Sequence, residues 1–152
     1  MAKNAKSFYP NRPIKMSTFR HSFCDPFKPD IIELGDIGSH EIINKFEQLP
    51  WDVIISKMGE AKESEMHFTP SLEFENMITR HGITISGLGT SRLEEFYVFY
   101  KRPKRVRSFF GLKSKDNPEY LTDVIGQTKE NVVEILKAFI VGEYELLDSK
   151  IK

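Results

Sequence analysis

The chain has 152 residues, 22 basic and 22 acidic side chains, 39% hydrophobic content, twelve Phe, five Tyr, one Trp and a single cysteine, Cys24. That length favours one domain burying about 70% of its unfolded surface, and so aromatic a composition excludes a disordered chain. The longest apolar run, residues 96–100, is five long, far below the ~18 a membrane helix needs, and one cysteine excludes an internal disulfide.

Residues 1–30 read as an irregular N-terminal arm. Pro10, Pro13, Pro26 and Pro29 interrupt regular elements, while Phe8, Tyr9, Phe19, Phe23 and Phe27 supply anchors that tie the arm to the body. No apolar core follows the basic start, so no secretory signal is expected, and Pro10 and Pro13 break the amphipathic helix of a transit segment. With the lone cysteine, this makes a soluble, cytoplasmic protein with no membrane contact the expectation.

Residues 31–152 read as a single α+β domain. Ile31, Ile32 and Leu34 suit a short strand closed by Gly35. Ser39 is an N-cap candidate for a first helix, whose stripe is Ile42, Ile43, Phe46 and Leu49. Trp51 to Met58 fits a helix face or a strand face; Pro50 before it, Asp52 in the first turn and Gly59 after it favour helix. Three alternating runs follow at short spacing, through Leu72 and Phe74, through Ile83 and Ile85, and through Phe96, Val98 and Tyr100. Short connections between such runs mark an antiparallel meander. Thr128 is an N-cap candidate for a last long helix with stripe Val132, Val133, Leu136, Phe139 and Ile140, ended by Gly142. Tyr144, Leu147 and Ile151 extend it by an amphipathic turn. The expected fold is an antiparallel β-meander sheet of three to five strands with helices packed on one face.

The neutral total conceals sorted charge. Residues 1–24 hold five bases and no acid, and residues 25–75 hold twelve acids against four bases. Residues 101–115 hold seven bases and no acid, and residues 116–152 hold eight acids against four bases. The basic stretch comprises Lys101, Arg102, Lys104, Arg105, Arg107, Lys113 and Lys115. It follows the aromatic run through Tyr97 and Phe99 and encloses Phe109 and Phe110. A positive segment beside aromatic surface suits an acidic protein partner or nucleic acid; it equally suits a solvated loop neutralised by acids of the same fold. Pro103 is expected to end regular strand pairing there.

Other chemistry-bearing residues are scattered. His21, His40, His67 and His81 show no two-histidine helix spacing. His21 with Cys24 gives two ligands at most, and a Cys–His nucleophilic pair from Cys24 needs a meeting in space. Gly87-Leu88-Gly89-Thr90 lacks a following helix and reads as a hairpin turn rather than a phosphate loop. Glu73 and Glu75 share a strand face and offer the basic residues internal partners.

These features favour a small non-catalytic interaction protein, of the inhibitor, immunity-type or adaptor profile, binding an acidic partner protein through its sheet face and basic loop. The contact set is Tyr97, Phe99, Lys101, Arg102, Lys104, Arg105, Arg107, Phe109 and Phe110, with no cofactor, metal or catalytic residue assigned. The alternative is a nucleic-acid-binding module using residues 101–115, against which the isoelectric point near 6.9 weighs. An enzyme ranks third. The two apolar faces of residues 96–100 also suit a homodimer through that strand. If the cluster is a binding site, charge reversal at Arg102, Lys104 and Arg105 abolishes binding and spares stability.

Overall fold

A computed structural model describes residues 18–108, 111 and 113–152. The described residues form an α+β structure, a six-stranded antiparallel sheet with four α-helices. The strands are β1 (Thr18–Cys24), β2 (Ile32–Gly38), β3 (Ser71–Asn76), β4 (Gly82–Leu88), β5 (Glu95–Ser108) and β6 (Lys113–Gln127). Their spatial order is β2-β1-β3-β4-β5-β6. Strands β3 to β6 are the meander. The chain turns from β1 into the edge strand β2, leaves through α1 (Ile42–Gln48) and α2 (Trp51–Glu60), and returns as β3 on the other side of β1. Helices α3 (Lys129–Val141) and α4 (Tyr144–Lys150) follow the last strand.

Six strands exceed the three to five expected; the two missed ones are β1 and β6. Residues 18–24, read as part of an irregular arm, are β1, paired with β2 and β3. Its alternation of Phe19, His21 and Phe23 with Arg20 and Ser22 is a strand pattern, hidden by the prolines on either side. Strand β6 carries Lys, Asp, Asn and Pro over its first half; pairing with β5 holds it extended all the same. Residues 1–17 of the expected arm lie outside the described residues.

Alternation sorts the sheet into two faces. One carries Phe19, Leu72, Phe74, Ile83, Ile85, Phe96, Val98 and Tyr100, all essentially inaccessible. These form one cluster with Ile42 and Phe46 of α1, Trp51 of α2, Val132, Ile135, Leu136 and Phe139 of α3, and Leu147 of α4. Each helix therefore lays its apolar side on that face, with α3 nearest β4 and β5. Burying side chains of this size stabilises the fold by roughly 1.5–3 kcal/mol each.

Local signals fix the helix ends. Thr128 Oγ1 accepts the Asn131 N–H at 3.1 Å, the expected N-cap of α3, and Gly142 ends it at φ +77°. Ser39 does not cap α1. It opens a 3-10 turn, Ser39–Glu41, whose Glu41 carboxylate accepts the Gly38 N–H at 3.1 Å. Trp51 to Met58 is helical as favoured, and α2 runs on through Gly59 to Glu60. Gly87 sits under the Trp51 ring, where a Cβ would stand 2.8 Å from it. Gly87 and Leu88 end β4, paired with Phe96 and Glu95, and Gly89 and Thr90 begin the β4–β5 connection, with no helix behind them.

Candidate functional site

The basic segment is not a loop. Strand β5 runs without interruption through Pro103 to Ser108, and β6 pairs with it from Lys113 onward. Pairing of β4 with β5 stops at Gly82 opposite Lys101, whereas β5–β6 pairing continues to Ser108 opposite Lys113. Beyond Lys101 the two strands stand alone as a ribbon. Pro103 is accommodated because the β4 side is empty there and the β5–β6 register shifts between Arg102 and Lys104; proline is tolerated at edges and bulges.

The nine residues expected to act together fall into separate environments. Lys104, Arg105 and Arg107 are exposed on the ribbon. Lys104 Nζ lies 4.8 Å from the Tyr120 ring centre, and Arg105 reaches Ser114 at 3.0 Å and Asp116 at 3.9 Å, all in solvent. Lys101 is half-buried at the root and faces the acids across the sheet, 3.7 Å from Glu73 and 4.0 Å from Glu75; Arg80 adds a 3.1 Å contact to Glu75. The internal neutralisation suggested by Glu73 and Glu75 therefore holds at Lys101. Such partly exposed pairs contribute about 0–1 kcal/mol each. Phe109 and Phe110 lie outside the described residues.

Arg102 leaves the candidate set altogether. Its side chain is 5% exposed and its Nη2 meets Asp148 of α4 at 2.6 Å. Nη1 donates to the Tyr100 carbonyl at 3.1 Å and to Thr122 Oγ1 at 2.7 Å. Its guanidinium also lies over the Tyr100 and Tyr120 rings, at 4.2 and 4.8 Å. Alternation is the reason: Arg102 continues the inward series Phe96, Val98, Tyr100, so its stem enters the core side while its neighbours point out. Charge reversal there breaks a buried pair, so a variant including it cannot spare stability.

Arg102 belongs to a polar lock that ties α4 to the sheet. Thr122 Oγ1 donates to the Ile151 carbonyl at 2.8 Å. His81 Nδ1 and the Tyr100 hydroxyl are 2.7 Å apart. The His81 ring stacks on Tyr144 with centres 3.6 Å apart, and the Tyr144 hydroxyl meets Thr79 Oγ1 at 3.0 Å. Burial lowers the His81 pKa, the Arg102 charge lowers it further, and Asp148 partly opposes both. Burial likewise pushes the Tyr100 phenol far above its ordinary value. The sequence singles out His81 as one of four scattered histidines and Tyr144 as part of an amphipathic turn; their meeting with each other and with Tyr100 and Thr79 was not legible because the partners are remote in sequence.

Tyr97 and Phe99 lie on the sheet face opposite the core. Their rings are 4.3 Å apart, and the Tyr97 hydroxyl donates to Asp123 at 2.5 Å, which raises its pKa. The register sets Leu121 opposite Lys101 and Asp123 opposite Phe99. Leu121 and Ile125, outward residues of β6 on either side of Asp123, are 56% and 58% exposed. Tyr97, Phe99, Leu121 and Ile125 thus share the outer face along the β6 edge as an apolar stripe, interrupted by the Asp123 carboxylate, that ends where the ribbon begins. Leu121 and Ile125 were missed because β6 was not read as a strand; their alternation with Tyr120, Thr122 and Val124 is the signal that could have found them.

Two other features complete the surface. Phe23, Ile32, Leu34, Leu49 and Leu72, with Lys45 and Gln48 at the rim, line an apolar concavity of about 270 Å³ between β2 and α1. That is at the small end for a cofactor site, which spans roughly 300–1,000 Å³. His21 is 4% exposed, with Nδ1 2.9 Å from the Gly35 carbonyl at the β1–β2 bulge. Among the described residues no three His, Cys, Asp or Glu side chains converge as metal ligands, and no helix is long and apolar enough to cross a membrane.

Comparison with protein families, with curated proteins and with solved structures finds no match for this chain. The reading of its function rests on its own geometry.

Proposed function

We propose that this is a non-catalytic interaction protein that docks a partner protein on the outer face of β5 and β6. The carrying observation is the exposed stripe of Leu121 and Ile125 beside the paired rings of Tyr97 and Phe99. The helices already cover the opposite face, so this stripe is apolar area that the described part of the fold does not bury. Exposed apolar side chains grouped on one face and rimmed by polar ones, here with Asp123 among them, mark contact surfaces, and aromatic anchors held in place before binding lose little entropy on docking. The Tyr97–Asp123 hydrogen bond provides that restraint on one ring.

The proposal shifts weight within the expected contact set. Tyr97 and Phe99 remain, Leu121 and Ile125 join them, Arg102 is withdrawn, and Lys101 contributes only what Glu73 and Glu75 leave of its charge. Contact through such a face depends little on salt.

A photo-crosslinking residue placed at Ile125 tests this in native cell extract. The expected result is one discrete adduct of defined mass, unchanged by nuclease, with none from the same residue at Glu130 on exposed α3 surface. Equal adduct patterns from both positions, or no adduct at Ile125, refute the proposal.

A further inference from the structure

We infer that the β5–β6 ribbon is a second, separate binding element whose ligand is duplex DNA, entered through the major groove. This rests on the ribbon's shape and charge, not on the apolar stripe.

The shape comes from the register. Among the described residues, β5 pairs only with β6 from Arg102 to Ser108, and seven residues at about 3.3 Å each extend the ribbon roughly 20 Å past the β4 edge. Two strands are about 5 Å apart in the pairing direction, and the B-DNA major groove, about 12 Å wide, admits a two-stranded ribbon.

Charge distribution separates this ligand from an acidic protein. Lys104 pairs with Asn117 and Val106 with Lys115, which puts Lys104, Val106 and Lys115 on one face. Arg105 pairs with Asp116 and Arg107 with Ser114, which puts both arginines on the other. The ribbon is therefore cationic on both faces. A ribbon lying flat on a protein needs one face that can be desolvated, yet the described apolar side chains here are Pro103, Val106 and Pro118. A groove walled by phosphates on both sides matches charge on both faces.

Arg102 is fixed between two tyrosine rings and tied to α4, whereas a lone two-stranded ribbon is only marginally stable in water. Like charges along it add repulsion that a polyanion relieves. The surplus of acids in residues 25–75 disfavours phosphate on that part of the sheet and on α1 and α2.

The test is fluorescence anisotropy with a labelled 20-base-pair DNA duplex, titrated with the full chain at several salt concentrations. Four phosphate contacts, from Lys104, Arg105, Arg107 and Lys115, give a log–log salt slope of about −3.6, a loss of about 150-fold between 50 and 200 mM. Charge reversal K104E/R105E/R107E abolishes binding with an unchanged unfolding midpoint, and Arg107→Gln alone reduces the slope by about 1. L121E/I125E leaves duplex binding as it is, so failure here and failure of the protein-docking proposal are distinguishable. The inference is overturned if the duplex does not bind at 50 mM salt. It is equally overturned if poly-glutamate of matched charge competes as well as unlabelled duplex, or if K104E/R105E/R107E still binds.

Discussion

Replacing Asp148 by alanine asks most of the polar lock. The Arg102 side chain is 5% exposed and Asp148 45%, so the pair is asymmetric: the cation is buried and the carboxylate is half in water. Removing one member of a fully buried pair costs about 3–5 kcal/mol, because the other charge is stranded. Here water can enter the space Asp148 leaves, and Nη1 keeps Tyr100 and Thr122 as acceptors, so about 2 kcal/mol is expected. Arg102→Met is milder. It keeps an apolar stem between the two tyrosine rings, leaves Asp148 to be hydrated by solvent, and removes the Nη1 donor from the Tyr100 carbonyl and Thr122 Oγ1 together with the charge itself, for about 1 kcal/mol. The assay is urea unfolding followed by fluorescence of Trp51, the single tryptophan, which is buried in the core. At about 2–4 °C per kcal/mol for a chain of this size, Asp148→Ala also lowers the thermal midpoint by about 4–8 °C. Equal stability of Asp148→Ala and wild type, or a larger loss in Arg102→Met, refutes the assignment of α4 docking to this pair.

Other outcomes follow from the same geometry. His81 has a lowered pKa in the fold, so the unfolded chain takes up the proton first. Stability from this group is complete above the unfolded value near 6.5 and is lost as pH falls from there through the lower folded value. Thermal melts between pH 7.5 and 5 should show wild type losing more stability than His81→Gln, and parallel curves contradict this. Gly89→Ala places a Cβ 1.8 Å from the Arg92 carbonyl oxygen; opening that turn is expected to cost about 2 kcal/mol, and a loss under about 0.5 kcal/mol in urea unfolding counts against the turn geometry. Phe139→Ala empties a core position that is 1% exposed, for about 3–5 kcal/mol in the same assay.

Periodicity made much of this fold legible. Strands β3 and β4, the first half of β5 and the α3 helix with its Thr128 and Gly142 ends were readable because apolar spacing and cap chemistry agreed there. β1 and the first half of β6 were not: the prolines flanking β1 hid its alternation, and the extended form of Lys113–Asn117 comes from pairing with β5 rather than from composition. Thr18–Cys24 is held between β2 and β3, and Lys113–Asn117 is strand only because β5 runs alongside. The same omission blurred the site. A basic run read in isolation looks like a loop with seven equivalent charges, yet pairing turns it into a ribbon whose residues alternate in direction. Alternation sends Arg102 inward to Asp148 and leaves Lys104, Arg105 and Arg107 exposed. No property of Arg102 itself distinguishes it from Arg105; the distinction lies in where β4 stops and α4 packs.

Affinity capture from native extract tests the central claim most directly. It uses wild type and L121E/I125E side by side, each split into nuclease-treated and untreated halves. The account predicts a defined protein recovered by wild type in both halves and lost from L121E/I125E, whose unfolding free energy stays within about 0.5 kcal/mol of wild type, as expected for surface substitutions. Undiminished recovery of that protein by L121E/I125E, or recovery that vanishes with nuclease, contradicts it.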